Sequence, residues 1–212
     1  LVGDLCQGIC GDGGIRQWSD LAEGIFKKPV ETVSLSTAYR STAEITDAAL
    51  SVIARHPVDG VGHTQPVLRH GDKPLLVRCQ NQKSRTKAVL DILRGWQNEG
   101  YRGIGVASKD PKAAKALHKV LVDAGLTDAR LVTEGDPSFE GGIQVMDAGV
   151  VKGLEFDCML IADADAETYP DQRFYAKLFY VLCTRPLHRL ALCCTGEPTA
   201  HLANADLAVR EA

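Results

Sequence analysis

The stretch VKGLEFDCMLIADAD, which runs from Val151 to Asp165, decides the fold of this chain. A glycine and an acidic residue, Gly153 and Glu155, lie in a predicted tight turn, and the apolar run 158–163 follows it. A short apolar run bounded by turn residues is typical of a strand that is buried on both faces of a sheet. Such a strand needs no carboxylate at its entrance. Glu155 is therefore a candidate for contact with a ligand at the edge of the sheet.

Strands and helices alternate on both sides of this stretch. Apolar runs predict strands at 31–36, 74–80, 103–108, 142–147, 158–163 and 189–194. Helical stripes of apolar residues lie between most of them, at 45–53, 89–96, 114–124 and 175–182. This alternation predicts an α/β fold, with a mostly parallel sheet covered by helices on both faces. Ligands of such sheets bind beyond the carboxyl ends of the strands, so we expect the functional residues at that edge.

Smaller signals complete the outline. Ser41 and Glu44 fit a capping box at the start of the first helix, and Asp110–Pro111 fits the start of the third. The segment 55–71 is rich in Gly, Pro and His, which predicts a long surface loop. The Ala-rich tail 199–212 is predicted to be helical or frayed.

Composition excludes several classes of protein. The chain has 212 residues, 45% of them hydrophobic and 24% charged, which is ordinary for a soluble globular domain. A net charge of −3 argues against a strongly basic nucleic-acid coat, although a local basic groove remains compatible with it. No apolar run is long enough for a transmembrane helix. The seven cysteines form no Cys-x-x-Cys pair and do not combine with histidines at ligand spacing, so we predict a reducing cytoplasm and no metal site.

Three side chains besides Glu155 are candidates for anion chemistry. Arg40 directly precedes a predicted helix N-terminus, which attracts anions; the plain alternative is a surface arginine. Arg185 follows an apolar helix, where it could instead simply favour the helix dipole. Gln7 follows Asp4, and the Gly3–Asp4 pair before it is explained by a turn alone. The glycines at 11–14 lack the Lys-Ser/Thr of a phosphate loop, so we reject that reading.

The order of four segments is more specific than any one of them. VGDLCQGI, LSTAYRST, VKGLEFDCMLIAD and FYVLCTRPLHRLAL occur in this order and together resemble motifs III to VI of superfamily 1 helicases of the UvrD type. The resemblance implies a RecA-like lobe, the second of the two lobes of an ATP-driven translocase. It divides the chain into the end of the first lobe with its linker (1–29), the second lobe (30–198) and a C-terminal tail (199–212). Because the chain opens without Met, we expect a piece of a longer protein.

The resemblance also implies roles for individual residues. Gln7, Arg40 and Arg185 match residues that sense, contact and stabilise the γ-phosphate of ATP, with Arg185 as the arginine finger. Glu155 matches a residue that binds the nucleotide ribose, and Gly153 allows the close turn. ATP and magnesium would be held mainly by the first lobe, because this chain has neither a Gly-x-x-x-x-Gly-Lys-Ser/Thr motif nor an Asp-Glu pair after a strand.

Contacts with nucleic acid are implied for Lys152 and Thr184, with single-stranded DNA as the partner. The sequence departs from the family here, because Asp147 and Gly149 stand where a threonine and a histidine are usual, which puts the strand contact of this turn in question. Pro186 follows the finger where alanine is common.

The interval between Arg40 and Lys152 is filled by two strand–helix units, which leaves no space for the large extra domain of UvrD. The chain therefore looks more like HelD-like helicases, some of which act on RNA polymerase. Two alternatives remain: a degenerate RecA-like lobe that binds proteins, RNA polymerase for example, and a small nucleotide-using enzyme of doubly wound fold. The second would need a complete phosphate loop, which the sequence lacks.

Overall fold

A computed structural model describes residues 3–9, 17–28, 31, 33, 37–38, 40–58, 65–66, 69–136 and 141–212. The strands are β1 (Thr37–Ala38), β2 (Gln65–Pro66), β3 (Leu75–Arg78), β4 (Gly103–Ser108), β5 (Arg130–Leu131), β6 (Gly142–Asp147), β7 (Phe156–Ile161), β8 (Pro186–Cys194) and β9 (Ala208–Glu211). The α-helices are α1 (Ala43–Ala54), α2 (Gln82–Asn98), α3 (Pro111–Asp123) and α4 (Arg173–Cys183). Short 3-10 turns lie at Leu5–Gln7 and Ala200–Leu202, and a π-helical turn lies at Leu21–Phe26.

A seven-stranded sheet organises the chain, in the order β5-β6-β4-β7-β8-β3-β9. Every recorded strand pair in it is parallel. Strands β1 and β2 form a separate parallel pair. The parallel sheet with covering helices is the RecA-like α/β architecture, so the fold predicted from the alternating pattern is confirmed.

Two helical layers cover the sheet, and β7 shows why the run 158–161 is apolar. Met159 and Ile161 belong to the core cluster that includes α1 and α4. Cys158 and Leu160, which point to the opposite face, belong to the cluster that includes α2 and α3. All four are 0% exposed. Because successive strand residues point to opposite faces and both faces are covered, no position between them tolerates a polar side chain at low cost.

The helix starts follow the local chemistry closely. Asn81 caps α2 by accepting hydrogen bonds from the Lys83 and Ser84 amides, at 2.9 and 3.0 Å. Asp110 caps α3 through the Ala113 amide at 2.9 Å, and the predicted Pro stands at the first helical position.

Other local predictions need correction. The N-cap of α1 is Thr42, whose hydroxyl accepts from the Ile45 amide; Ser41 instead donates a hydrogen bond across the fold to the Pro186 carbonyl. The tail is neither helical nor frayed, because β9 pairs in parallel with β3 at the sheet edge. Four of the six residues of the strand predicted at 31–36, and eight of the seventeen residues of the loop predicted at 55–71, lie outside the described residues.

Gly105 in β4 supports a prediction about the packing of the core. A Cβ atom there would lie 2.6 Å from the Met159 sulfur and 2.8 Å from a ring carbon of Phe156, and both side chains are fully buried. We expect Gly105→Ala to lower the free energy of unfolding by about 1–3 kcal/mol because the core is overpacked. Gly95→Ala in α2 is the control: nothing lies within 4 Å of that Cβ, so it should raise stability by about 0.5–1 kcal/mol. Urea denaturation of both variants measures this, and a neutral Gly105→Ala would contradict the packing described.

Within the described part of the chain, none of the helices combines the length and the apolarity that crossing a bilayer requires.

Candidate functional site

The register of β7 and β8 brings two predicted site residues together. Phe156 is aligned with Pro186, and its amide donates to the Arg185 carbonyl at 3.2 Å. Glu155 and Arg185, each the residue before its strand, therefore lie side by side at the amino ends of parallel strands. We expected ligand residues at the carboxyl ends, and for this cleft that prediction is wrong. The reason is local: the crossover after β6 and the helix α4 both deliver their last residues to the amino edge.

Arg40 and Glu155 face each other across a cleft of about 620 Å³. Their side chains form an ion pair at 2.7 Å, and each side chain is 46% exposed. Such half-exposed pairs are worth little, of the order of 1 kcal/mol or less, so an incoming ligand can separate them at low cost. The cleft is further lined by polar and apolar groups: Gln7, Ser41, Ile45, Thr46, Ala49, Leu50, Tyr180, Cys183, Thr184 and Leu187.

Arg185 lies behind this cleft and is almost fully buried, at 2% exposure. Its Nε donates to the carbonyl of Val181 at 2.9 Å, one turn earlier in α4. One terminal nitrogen, Nη1, reaches the Leu154 carbonyl at 3.5 Å. The other, Nη2, donates to Gln7 Oε1 at 3.1 Å and to Thr184 Oγ1 at 3.2 Å. All four acceptors are neutral oxygens. Arg185 therefore caps the end of α4 and at the same time connects it to the N-terminal segment.

Gln7 is the residue of the N-terminal segment to which Arg185 is hydrogen bonded. It closes the 3-10 turn Leu5–Gln7, which packs on α4 through Leu5 and Cys6. The Asp4 carboxylate accepts hydrogen bonds from the Cys6 amide at 2.8 Å and from Gln7 Nε2 at 2.9 Å. Asp4 thus fixes the amide of Gln7 so that its oxygen faces Arg185. The sequence singled out both residues, but only the fold aligns Asp4, Gln7 and Arg185 in one hydrogen-bonded row.

Two further residues of the site escaped the sequence analysis. Ser41 donates to the Pro186 carbonyl at 2.6 Å, which ties the start of α1 to the residue after Arg185. Tyr180 lines the cleft from α4, and burial raises the pKa of its hydroxyl well above the ordinary value. A serine next to the candidate Arg40 was a usable signal. Nothing in the sequence indicated that Tyr180, one of the apolar residues of a helix, would line this cleft.

The crossover from β6 to β7 carries predicted residues to two different places. Gly153 has φ +88, a left-handed conformation that strongly favours glycine. The backbone of the turn therefore explains why a glycine stands at this position. Lys152 lines a second cleft of about 600 Å³ together with Asp147, Gly149 and residues after β5. Thr184, predicted with Lys152 to contact nucleic acid, lies instead on the first cleft.

The second cleft has mixed charge. Glu134, Asp136 and Asp147 line it beside Lys152. Asp147 Oδ1 accepts from the Gly149 amide at 2.8 Å, so this aspartate serves the turn. The cleft lies at the carboxyl edge of the sheet, after β5 and β6, and so opposite to the cleft of Arg40 and Glu155.

The electrostatics of the first cleft suit an anion. Desolvation lowers the pKa of Arg185 from its ordinary value, the like charge of Arg40 lowers it further, and Glu155 acts in the opposite direction. Arg40 and Arg185 therefore lie close enough for their positive charges to repel each other, and the carboxylate of Glu155 partly offsets this repulsion. A ligand with negative charge relieves their repulsion, whereas a metal ion would add to it. In this arrangement Arg40 can donate hydrogen bonds to phosphate oxygens and Glu155 can accept one from a hydroxyl group, while Arg185 contributes its charge from behind the cleft.

The fold and the site define the class as a RecA-like α/β domain whose anion-type cleft lies at the amino edge of its sheet. The C-terminal domain of a possible DNA helicase from Lactobacillus plantarum WCFS1 is similar, with a TM-score of 0.67 and 26% identity over 81% of this chain and 98% of that chain. The Hef helicase domain of Pyrococcus furiosus has a TM-score of 0.37 and 15% identity over 52% of this chain and 26% of that chain, too distant to bear on function. No protein-family model and no curated protein matches the sequence. The similarity to the Lactobacillus plantarum domain supports a helicase-related C-terminal lobe.

Proposed function

We propose that this chain is the second motor lobe of an ATP-dependent DNA helicase or translocase of the UvrD-like superfamily 1, closest in type to HelD-like helicases and active in the cytoplasm. In this proposal the first lobe holds ATP and magnesium, and this lobe closes over the nucleotide. Arg185, Arg40 and Gln7 act on the γ-phosphate, while Glu155 and Gly153 receive the ribose.

The convergence of Gln7 with Arg185 carries the proposal. These side chains are 178 positions apart in sequence, yet they are hydrogen bonded at 3.1 Å beside the cleft of Arg40 and Glu155. Structural capping of α4 requires only the bonds from Arg185 to Val181 and its neighbours. It gives no reason for a second arginine and a glutamate to line the same cleft. Transfer of a phosphoryl group develops charge on the γ-phosphate oxygens, and arginines supplied from a second lobe stabilise that charge only when the lobes close.

The crossover between β6 and β7 offers a route from nucleotide to nucleic acid. Glu155 at its end lines the first cleft, and Lys152 nearer its start lines the second. A displacement of Glu155 on nucleotide binding would therefore be transmitted along one short segment to Lys152. We propose Lys152, which lies among three carboxylates in the lining of the second cleft, as a phosphate contact for single-stranded DNA. Thr184, which lies on the first cleft, would act there through its hydrogen bond with Arg185.

The experiment that tests the proposal is the ATPase rate of a protein that joins this chain to a first lobe, with and without single-stranded DNA. We expect hydrolysis that single-stranded DNA stimulates. Nucleotide binding without hydrolysis in either condition would contradict a motor role.

The 212-residue chain alone should not hydrolyse ATP, because its sequence lacks the phosphate loop and the magnesium carboxylates of a complete site. Phosphate release by the purified chain measures this, with the Arg185→Ala chain as the control for a contaminating ATPase. Turnover by the chain that Arg185→Ala abolishes would overturn the half-site proposal.

One observation favours a second candidate. Arg40 and Glu155 neutralise each other, and the buried Arg185 already uses its donors on Val181, Leu154, Thr184 and Gln7. A degenerate lobe that only binds a protein, such as RNA polymerase, would keep such a self-contained arrangement. In that case the longer protein would bind its partner equally well with or without ATP.

A further inference from the structure

Three polar side chains meet at the end of α1 that lies away from the cleft of Arg40 and Glu155. His56 follows α1, Asp171 lies in the loop before α4, and His201 lies in the 3-10 turn Ala200–Leu202. One ligand-type atom from each lies within 4.8 Å of the other two. The His56 Nε2 and Asp171 Oδ1 atoms are 2.7 Å apart, and His201 Nδ1 is 4.0 Å from the same oxygen. The sequence predicted no metal site because 56, 171 and 201 are far apart along the chain.

His201 is the informative member. Its side chain is 0% exposed, and its Nδ1 is a buried polar atom without a hydrogen-bond partner. Its other nitrogen, Nε2, lies 3.0 Å from the Pro170 carbonyl, which can only accept, so Nε2 carries the proton. Nδ1 therefore presents a lone pair to the Asp171 carboxylate. The buried Nδ1 of His201 and the partly exposed Asp171 carboxylate are two electron-pair donors 4.0 Å apart, and a cation between them would satisfy both.

The geometry leaves one nitrogen of each histidine for an ion. The contact between His201 Nε2 and the Pro170 carbonyl leaves the unpartnered Nδ1 facing the cluster. His56 Nε2 lies 2.7 Å from Asp171 Oδ1 and can bind an ion once the proton of the ring is on Nδ1. Neutral imidazole and ionised carboxylate are the forms in which these side chains bind metals.

We propose that His56, Asp171 and His201 bind a divalent transition metal of the zinc class, with water as the fourth ligand. Imidazole nitrogens and a carboxylate oxygen suit Zn²⁺ at bond lengths near 2.0–2.2 Å, which the three atoms reach by small side-chain movements. The outer contacts are already those of a metal centre: the Pro170 carbonyl orients His201, and Arg55 bonds the Asp171 carboxylate. The side chains of His56 and Asp171 are 24% and 40% exposed, so an ion and a water molecule can enter.

The metal would have a structural role. It would fasten the end of α1 to the loop before α4 and to the turn after β8, and so reinforce the contacts that Arg55, His56 and His201 already make with that loop. This function is separate from that of the ion pair of Arg40 and Glu155, because Arg40 precedes the 12-residue helix α1 and His56 follows it, and α1 is about 18 Å long at 1.5 Å per residue.

Cobalt(II) and zinc(II) titrations of the tag-free 212-residue chain test the proposal. We expect one Co²⁺ per chain, with the visible ligand-field bands of a four-coordinate site and no sulfur-to-metal charge transfer. Saturating Zn²⁺ should displace it and raise the melting temperature by about 5–10 °C. His56→Ala and Asp171→Asn should each remove the bands and the thermal shift; both residues are partly exposed, so these variants should fold.

His70→Ala is the matched control. His70 pairs with Glu44 at 2.9 Å, but no third ligand group joins them among the described residues. This variant should bind cobalt like the unchanged chain. Absence of the cobalt bands from the unchanged chain, or bands that persist in His56→Ala, would show that the cluster is only a hydrogen-bonded one and overturn the proposal.

Discussion

Replacing Arg185 with alanine should lower the turnover of ATP about a thousandfold in a protein that joins this lobe to its nucleotide-binding partner lobe. The finger acts on charge that develops mainly in the transition state, so kcat should fall while the affinity for ATP changes little. Arg185→Lys should restore little of the rate, because an ammonium group does not reproduce the planar guanidinium. Steady-state ATPase kinetics on folded protein measures both variants.

A structural role for Arg185 leads to a different result. The side chain bonds Val181, Leu154 and Gln7, so its loss leaves buried acceptors unsatisfied and should cost stability, about 1–3 kcal/mol. Melting curves separate this effect from catalysis. Arg94→Ala is the control, because Arg94 also bonds a carbonyl at a helix end, that of Ala124 at 2.9 Å, but at an exposed position in α2. Normal kcat in folded Arg185→Ala would end the finger assignment.

The sheet could be predicted from sequence because burial on both faces leaves apolar runs. Strands β4 and β6 were predicted with the bounds they have, since glycine begins each run and a polar residue ends it. Helix α3 was predicted for the same kind of reason, from its cap at Asp110 and its proline. The edge strand β9 was missed. Its residues are all exposed and form no apolar run, so its strand conformation comes from pairing with β3 rather than from its own sequence.

The candidate residues were chosen from motif order, and their spatial arrangement could not be predicted from the sequence. Motif order selected Gln7, Arg40, Glu155 and Arg185, and the fold brings them to one cleft or directly behind it. We expected these residues at the carboxyl ends of the strands, but Glu155 and Arg185 each precede a strand and so lie at the amino edge of the sheet. The cluster of His56, Asp171 and His201 could not be predicted from the sequence. Its members lie in three separate loops or turns, which come together only when the helices pack.

Glu155→Ala should raise the KM for ATP about tenfold or more and leave kcat nearly unchanged. In the proposed mode the carboxylate accepts a hydrogen bond from the ribose in ground and transition states alike, and a hydrogen bond to a charged group is worth about 1.5–3 kcal/mol. Arg40→Ala should do the reverse and lower kcat, because its partner is the γ-phosphate.

The ion pair between Arg40 and Glu155, at 2.7 Å, makes the comparison of the two variants informative. If the two side chains only hold each other, either substitution removes the same interaction, and the double variant adds nothing further. If they contact different parts of the nucleotide, the double variant shows both the raised KM and the lowered kcat. Glu155→Gln sharpens the test: it loses the ion pair but keeps an acceptor oxygen, so KM should stay close to that of the unchanged protein. A glutamine variant as weak as the alanine variant, with a double variant no worse than either single one, would contradict the ribose contact.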